Sequence, residues 1–374
     1  IERLGYTGDG QLCCEAAMML LDSQKFYKKW LEDISDCQSI GNGHVQHTAP
    51  FMGGGGGPAG WGGAIAVVPY EMYKIYGDKE TFRRYLPKIL RYFDYLDSRS
   101  SGGLVCREEE GGWCLGDWCP PEQITICEPF VNTALYVKQM MMTKEASEAI
   151  GESETAAMLE KRIEEKKQAI LNAYYSPQTG SFIGDAQGAN SFAVDIGLGG
   201  ERAFNNTKKK YDAADAFDTG IFGTDILIRV LFERGCADTA FRLLTSTGKG
   251  SFYNMKKQGA TTIWENWDGE RSHSHPMFGA VTRYLFSFIL GITQEKNSAG
   301  YEKIVIAPQI PDGLNRASGH ITTVRGEIAV SFVRTEREMD FYVTVPQKAW
   351  FTYGSDCEYE LWEGENHIHI DFEE

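Results

Sequence analysis

The sequence predicts a mainly α-helical fold, an (α/α)6 toroid followed by a small C-terminal antiparallel β-sandwich. Three observations support this prediction. Apolar residues recur at three- and four-residue intervals through most of the first 290 residues, as one buried helical face requires. Loops rich in glycine and aromatic residues separate these segments. After Gly291 the helical spacing is replaced by the alternation of apolar and polar residues that is typical of strands.

Helices are predicted in chain order from the apolar spacing. In 80–97, for example, Phe82, Leu86 and Ile89 lie on one face. The predicted helices lie near 11–35, 62–77, 80–97, 130–149, 155–174, 190–198, 201–214, 227–231, 236–246 and 281–288. No convincing strand is predicted between them, and an irregular all-α domain is the alternative to a toroid. Because six helical hairpins need about twelve helices, we expect the start of the barrel to lie upstream of residue 1.

Strands are predicted from residue 301 onward. Ile328, Val330 and Phe332 alternate with smaller or polar residues, and 339–345 and 368–372 show the same alternation. Prolines and glycines at turn positions separate these runs. We therefore divide the chain into a helical barrel, residues 1–292, and a β-sandwich, residues 293–374.

The formal net charge of −15, without a basic run, disfavours nucleic acid and membrane partners. No apolar stretch approaches the roughly 20 residues of a membrane-spanning helix, and the first residues lack the pattern of a signal peptide. An acidic, cysteine-containing chain fits the cytoplasm best. A leader would precede Ile1, so a periplasmic or secreted location also stays open, and the oligomeric state is not predicted.

The cysteines and histidines do not predict a metal site. Cys106, Cys114, Cys119 and Cys127 cluster in one loop region without the C-x2-C spacing of zinc sites. Disulfides and free thiols both stay open for them. The paired His44 and His47 have no third ligand at an obvious spacing and are interpreted as loop residues. We expect neither a metal nor an organic cofactor.

Tryptophans and carboxylates concentrate in the predicted loops, in 2–9, 60–63, 113–118 and 264–268. Hydrolysis of a glycosidic bond needs two carboxyl groups that flank the bond, and sugar rings pack on flat aromatic surfaces. A single tryptophan is more often a core residue. Several of them beside acids favour a sugar-binding pocket with hydrolytic chemistry.

Six motifs in these loops are more specific. They are ERLGYTGDGQ (2–11), GWGGA (60–64), GDW (116–118), TGIFGT (219–224), GATTIWENWD (259–268) and SHSHPMFG (272–279). In the same order they resemble ERxGWTGDAQ, AWGDA, GDW, TGFxGT, GATTxWERWD and SxNHxxxG of the bacterial α-L-rhamnosidases of glycoside hydrolase family 78. The resemblance covers nearly the whole chain.

The resemblance implies an (α/α)6 barrel with a β-sandwich, and hydrolysis of terminal α-L-rhamnosides from glycosides or oligosaccharides with inversion. It makes Glu2 the general acid and Glu265 the general base, about 6.5–9.5 Å apart in an inverting pair. The expected substrate-binding residues are Asp9, Tyr6, Trp61, Trp118, Trp264 and His275. Without the resemblance, Asp9 would be a turn residue or helix N-cap, and His275 a structural histidine.

The chain departs from the family pattern at several positions. Tyr6 stands where the family usually has tryptophan, Gly63 stands where it has an acid, and Ile1 stands where an arginine precedes the glutamate. An aspartate expected further upstream has no counterpart. Two alternatives therefore stay open: the same fold and acids acting on another sugar, or a non-catalytic carbohydrate-binding fragment.

Overall fold

The computed structural model describes residues 3–354 and 357–372, with helices in the first part and strands in the last. The helices are α1 Thr7–Leu20, α2 Gln24–Asp36, α3 Pro58–Gly62, α4 Ala64–Tyr76, α5 Lys79–Ser98, α6 Glu128–Ile150, α7 Ser153–Tyr174, α8 Ala189–Asp195, α9 Gly200–Asp212, α10 Ile221–Glu233, α11 Ala237–Leu244 and α12 Phe252–Lys257. A 3₁₀ turn, Met277–Thr282, and a π-helical turn, Leu285–Ile289, follow them. Within this part of the chain, none of the helices combines the length and the apolar character needed to cross a membrane.

Six of these elements contact one another in a closed circuit. α1 packs against α4, α4 against α6, α6 against α8, and α8 against α10, and the 3₁₀ turn at 277–282 joins α10 back to α1. α2, α5, α7, α9 and α11 each pack against a member of this circuit. On α5, the predicted apolar face of Phe82, Leu86 and Ile89 is buried. Each such side chain contributes about 1.5–3 kcal/mol on burial.

The helix predicted near 11–35 is two helices, so the prediction of one continuous helix was wrong. Leu21 has extended backbone angles, with φ −134° and ψ 151°. The hydroxyl of Ser23 donates to the Ala17 carbonyl at 3.2 Å, beside the Leu21 N–H, which donates to the same oxygen at 2.9 Å. Two short antiparallel ribbons also lie between helices, where no strand was predicted: β1 Ser100–Ser101 with β2 Leu104–Val105, and β3 Tyr175–Ser176 with β4 Ser181–Phe182.

Two four-stranded sheets follow the helices. Their strands are β5 Ile292–Gln294, β6 Ile304–Ile306, β7 Arg316–Thr323, β8 Gly326–Arg334, β9 Glu338–Val345, β10 Ala349–Tyr353, β11 Cys357–Leu361 and β12 Gly364–Asp371. The sheet orders are β5-β6-β10-β11 and β7-β8-β9-β12. Phe341 on β9 meets Phe351 on β10 with ring centres 4.9 Å apart, so the apolar faces pack together. The pair β6 and β10 is parallel, so the prediction of a wholly antiparallel sandwich was wrong.

The sheets pack directly on the helices. β7 contacts α1 and the π-helical turn. Lys74, near the end of α4, donates to the carbonyls of Lys296 and Ser298, both at 2.9 Å. Gln294 donates in return to the Lys74 carbonyl at 2.9 Å. These bonds fix the segment between β5 and β6 to the helical part.

A set of charged side chains lies inside the closed circuit, contributed by its five helices and by Arg283, directly after the 3₁₀ turn. The residues are Glu15, Glu71, Lys138, Asp195, Asp225, Arg229 and Arg283, and they line a cavity of about 90 Å³. Asp195 accepts from Lys138 at 2.9 Å and from Arg229 at 2.8 Å. Arg283 lies 2.8 Å from Asp225 and 2.7 Å from Glu15. Burial, together with the charge of Glu15, raises the pKa of Glu71 to about 8.

Candidate active site

His275 lies between two carboxylates that come from opposite ends of the helical part. Asp9 sits in the first turn of α1, whose start is held by a 2.9 Å bond from the Thr7 N–H to the His47 carbonyl. The Asp9 Oδ1 contacts the His275 Nε2. The His275 Nδ1 lies 3.8 Å from the Glu265 Oε2. One buried imidazole is therefore bonded to Asp9 and lies 3.8 Å from Glu265, and the structure brings together three of the predicted site residues.

Glu265 is held by its own loop. Its N–H donates to the Ser272 carbonyl at 2.8 Å, and the Ser272 N–H donates back to the Glu265 Oε2 at 3.2 Å. The guanidinium of Arg271 lies 3.5 Å from the Oε1. The side chain keeps 13 % of its surface exposed. A carboxylate that is fixed in orientation yet reachable by solvent can accept a proton from a water molecule.

Trp118 is linked to Glu265 through Arg271. The Arg271 guanidinium is 5.0 Å from the centre of the Trp118 ring, within reach of a cation–π contact. The next residue, Cys119, donates its thiol to the Asn266 Oδ1 at 2.9 Å. Burial raises the pKa of this thiol, and the charge of Glu265 adds to the effect. Cys119 therefore stays protonated and is not placed to act as a nucleophile.

The other predicted aromatic residues differ in exposure. Trp61 is 3 % exposed and Trp264 is 6 % exposed. Trp61 packs edge-on against Phe222, with ring centres 5.7 Å apart, and Trp264 stacks on His273 at 4.4 Å. Tyr6 is half-buried and forms a β-bridge with Thr48. Tyr6 and Trp118 thus present more ring surface than the two buried tryptophans.

Asp117, in the GDW motif, is a residue that sequence reasoning missed. Its carboxylate accepts three backbone N–H bonds, from Gly220 at 2.7 Å, Phe222 at 2.9 Å and Gly223 at 3.1 Å. Burial raises the pKa of Asp117 to about 7, although the three N–H bonds favour the ionised form. The carboxylate fixes the start of α10 beside Trp118. In the sequence, Asp117 stands out only as an acid beside a tryptophan, and nothing there indicates the backbone groups that it binds.

Further contacts complete the assembly of the six motifs. The amide of Gln11 donates to the Trp61 carbonyl at 3.4 Å, which joins the first motif to the second. Asp117 joins the third to the fourth, and His275 joins the last to the first and to the fifth. Glu2, the predicted general acid, lies outside the described residues.

The comparisons with known proteins agree with this assembly. Residues 1–289 match the family model described as the bacterial alpha-L-rhamnosidase 6 hairpin glycosidase domain. Residues 291–351 match the bacterial alpha-L-rhamnosidase C-terminal domain. The chain belongs to the bacterial α-L-rhamnosidases of glycoside hydrolase family 78.

Two α-L-rhamnosidases illustrate the sequence relationship. The one from Streptomyces avermitilis is 30 % identical over an alignment of 345 residues that covers 88 % of this chain and 32 % of the relative. The one from Alteromonas sp. is 26 % identical over 372 residues, covering 92 % of this chain and 40 % of the relative. The chain therefore spans less than half of the length of these relatives.

Solved rhamnosidase structures have the same fold. The Streptomyces avermitilis α-L-rhamnosidase complexed with L-rhamnose superposes with a TM-score of 0.88 and 25 % identity, over 99 % of this chain and 38 % of that one. The α-L-rhamnosidase from Aspergillus terreus gives a TM-score of 0.90 at 21 % identity, over 99 % of this chain and 46 % of that one. This second likeness shows the fold alone.

Within this rhamnosidase-family chain, the space beside Gly63 is already filled. A Cβ atom at Gly63 would lie 2.0 Å from the Gln139 Nε2 and 2.5 Å from the Ala59 carbonyl oxygen. The Gln139 amide occupies this space and donates to the Ala59 carbonyl at 2.9 Å. The acid that the family usually has at this position is thus replaced by glycine together with a neutral amide from α6.

The cysteine and histidine predictions have different outcomes. The nine cysteines, all within the described residues, are free thiols, so the disulfide alternative for the Cys106 to Cys127 region does not hold. His44 and His47 lie in a loop, as predicted, and both face the buried carboxylate of Glu108. The spacing of the sequence did not indicate this third residue, because a distant loop supplies it.

Proposed function

We propose that this chain is the catalytic part of an inverting α-L-rhamnosidase. In this proposal it releases terminal α-L-rhamnose from glycosides or oligosaccharides. The observation that carries the proposal is the placement of His275 between Asp9 and Glu265, where the first, fifth and sixth family motifs meet. The complex of the Streptomyces avermitilis relative with L-rhamnose supports the choice of sugar.

The proposed architecture is an (α/α)6 toroid, residues 1–292, with a β-sandwich at 293–374. The closed circuit of six elements, five of them backed by a second helix, supports the toroid. The last turn of the helical part ends at Ile289 and β5 begins at Ile292, which supports the division.

In the proposed mechanism, Glu2 donates a proton to the glycosidic oxygen as the bond from the anomeric carbon to that oxygen breaks. Glu265 takes a proton from a water molecule that attacks the anomeric carbon from the opposite face. The products are rhamnose with inverted configuration and the free aglycone alcohol. Asp9 and His275 bind sugar hydroxyls, and Tyr6, Trp61, Trp118 and Trp264 form the aromatic walls. Neither a metal nor an organic cofactor takes part.

The first test is hydrolysis of p-nitrophenyl α-L-rhamnoside by the intact protein and its Glu265→Gln variant. Loss of the general base should lower kcat by about 10²–10⁴-fold with unchanged circular dichroism. Glu270→Gln is the matched control, because Glu270 is an exposed glutamate of the same loop. Proton NMR of the first product should show the inverted anomer. Equal activity in Glu265→Gln would remove the base assignment.

A second candidate function is hydrolysis of another sugar by the same acids. The replacement of the family acid by Gly63 and Gln139, and of the family tryptophan by Tyr6, favours this alternative. A panel of nitrophenyl α-L-rhamnoside, α-L-fucoside, α-L-arabinoside and β-glucuronide separates the two. Cleavage of the rhamnoside alone supports the first proposal, and cleavage of another sugar supports the second. Inactivity on all four would favour a non-catalytic carbohydrate-binding role.

A further inference from the structure

Two histidines and one glutamate that the proposed mechanism does not use meet in the interior. His44 and His47 lie in the loop between α2 and α3, and Glu108 lies in the loop between β2 and α6. All three residues are buried, with 7 %, 6 % and 7 % of their surface exposed. Their ligand-type atoms lie within 4.8 Å of one another.

The bonding in this cluster is incomplete. The His47 Nε2 and the Glu108 Oε2 are 2.9 Å apart and form a hydrogen bond. The His44 Nε2 lies 3.3 Å from the Glu108 Oε1, but it is buried and makes no hydrogen bond of acceptable geometry. A buried imidazole nitrogen aimed at a carboxylate without a bond leaves a polar atom unsatisfied.

We propose that His44, His47 and Glu108 bind a divalent transition-metal ion of the zinc type. Four ligands around zinc at about 2.1 Å lie about 3.4 Å from one another. The observed separations of 2.9 Å and 3.3 Å from Glu108 to the two imidazoles are close to this value. Small side-chain movements therefore bring three ligands onto one ion.

The donor set selects the class of ion. Two imidazole nitrogens with one carboxylate suit zinc and its neighbours in the first transition row, whereas calcium and magnesium prefer oxygen ligands. The hydroxyl of Tyr95 contacts the Glu108 Oε1, and either this hydroxyl or a water molecule completes the coordination.

The charge of Glu108 fits the same assignment. Its carboxylate is buried and faces His44, His47 and Tyr95. The neighbouring cation, Arg99, is paired with Glu109 at 2.7 Å. A buried carboxylate needs a positive partner, and a divalent ion bound by the two imidazoles supplies it.

The ion would act structurally, by joining two loops that carry site residues. The His47 carbonyl accepts from the Thr7 N–H at 2.9 Å and from the Thr7 Oγ1 at 3.1 Å, at the start of α1. Glu108 belongs to the loop that leads to Asp117 and Trp118. A metal between them would fix the start of α1 relative to this loop.

The direct test uses intact wild-type protein whose accessible thiols have been alkylated. Its bound zinc is measured after equilibrium dialysis. We expect one equivalent of zinc in the wild type and its loss in both His44→Gln and His47→Gln. His369→Gln is the matched control, because His369 belongs to an exposed group with Glu338 and Asp371. The control should retain the equivalent. Absence of zinc from the wild type, or retention in both cluster variants, would overturn the proposal.

A second measurement does not depend on the folding of the variants. Cobalt bound to the wild-type protein in place of zinc should show the visible d–d absorption of a four-coordinate site, without the thiolate-to-cobalt charge-transfer band. A strong charge-transfer band would assign the ion to cysteines and contradict the proposal. Zinc should also raise the Tm of the wild type and of His369→Gln by several degrees, and an unchanged Tm in both would contradict the proposal. All these readouts are independent of glycosidase activity.

Discussion

Trp30 fills the space beside Gly10, and the close approach explains why this position is glycine. A Cβ atom at Gly10 would lie 2.2 Å from the far edge of the Trp30 ring. The indole is held in place, since its Nε1 donates to the Ala49 carbonyl at 3.0 Å. At Gly60, a Cβ atom would lie 2.9 Å from the Phe222 ring. The family motifs have alanine at both positions. In this chain, each replacement of that alanine by glycine occurs beside a large aromatic side chain.

We therefore expect Gly10→Ala to destabilise the fold by about 1–3 kcal/mol, the usual cost of overpacking. Urea denaturation followed by tryptophan fluorescence measures the change. Gly41→Ala is the control, because the nearest atom to its Cβ would be 3.7 Å away. In a Trp30→Phe background the cost of Gly10→Ala should shrink. An equal cost in both backgrounds would show that Trp30 is not the cause.

At the scale of elements, the helices with a long apolar repeat were predictable from the sequence. The 80–97 prediction became α5, Lys79–Ser98, and the 155–174 prediction became α7, Ser153–Tyr174. The break between α1 and α2 could not be predicted, because neither glycine nor proline marks the point where Leu21 takes extended backbone angles. Ribbons with two-residue strands are too short to show alternation.

The site was predictable as a set of motifs but not as a set of contacts. Asp117 and Gly220 are 103 positions apart, and His47 and Glu108 are 61 positions apart. Such pairs leave no periodic signal, because each residue lies in an irregular loop. The pairing of β10 with β6 could not be predicted either, because β7, β8 and β9 lie between these two strands in the sequence.

A second prediction concerns Asp117, whose carboxylate stabilises the start of α10. Asp117→Asn should lower the free energy of unfolding by about 1–3 kcal/mol at pH 8, because the new amide NH₂ group would face a backbone N–H that now has an acceptor. Chemical denaturation measures this change. Asp36→Asn, at an exposed position on α2, should leave stability unchanged. If the two variants were equally stable, the three N–H bonds would not hold α10.

At the scale of the whole molecule, charge rather than apolar packing alone joins the six elements of the closed circuit. Four carboxyl groups, Glu15, Glu71, Asp195 and Asp225, face three cations, Lys138, Arg229 and Arg283. A proton on Glu71 makes this set neutral, in agreement with its pKa of about 8. Neutrality matters because an unpaired buried charge is costly.

The stability of the protein should therefore depend on pH through Glu71. Its usual pKa of 4.5 is raised to about 8 by burial, so the folded chain holds this proton more tightly than the unfolded chain. The stability from this proton is complete below about pH 4.5 and is lost as the pH rises toward about 8. Glu71→Gln lacks this dependence. Its free energy of unfolding should rise relative to wild type by on the order of 1 kcal/mol per pH unit in this window.

Thermal unfolding from pH 5 to pH 8 checks this expectation. The Tm difference between Glu71→Gln and wild type should grow in favour of the variant as the pH rises. Glu336→Gln, at an exposed position, should follow the wild type at every pH. Parallel curves for Glu71→Gln and wild type would mean that Glu71 is already ionised in the folded protein.

The charged interior also bears on how the helices find their positions during folding. A shift of one helix of the closed circuit by one turn moves its side chains by about 5.4 Å. Such a shift would separate Asp195 from Arg229 or Arg283 from Asp225, pairs that now lie 2.8 Å apart. Leucine side chains would accept such a slip, since one apolar neighbour replaces another, whereas a parted ion pair costs several kcal/mol. We therefore expect these ion pairs to disfavour assemblies of the closed circuit in which a helix is out of register.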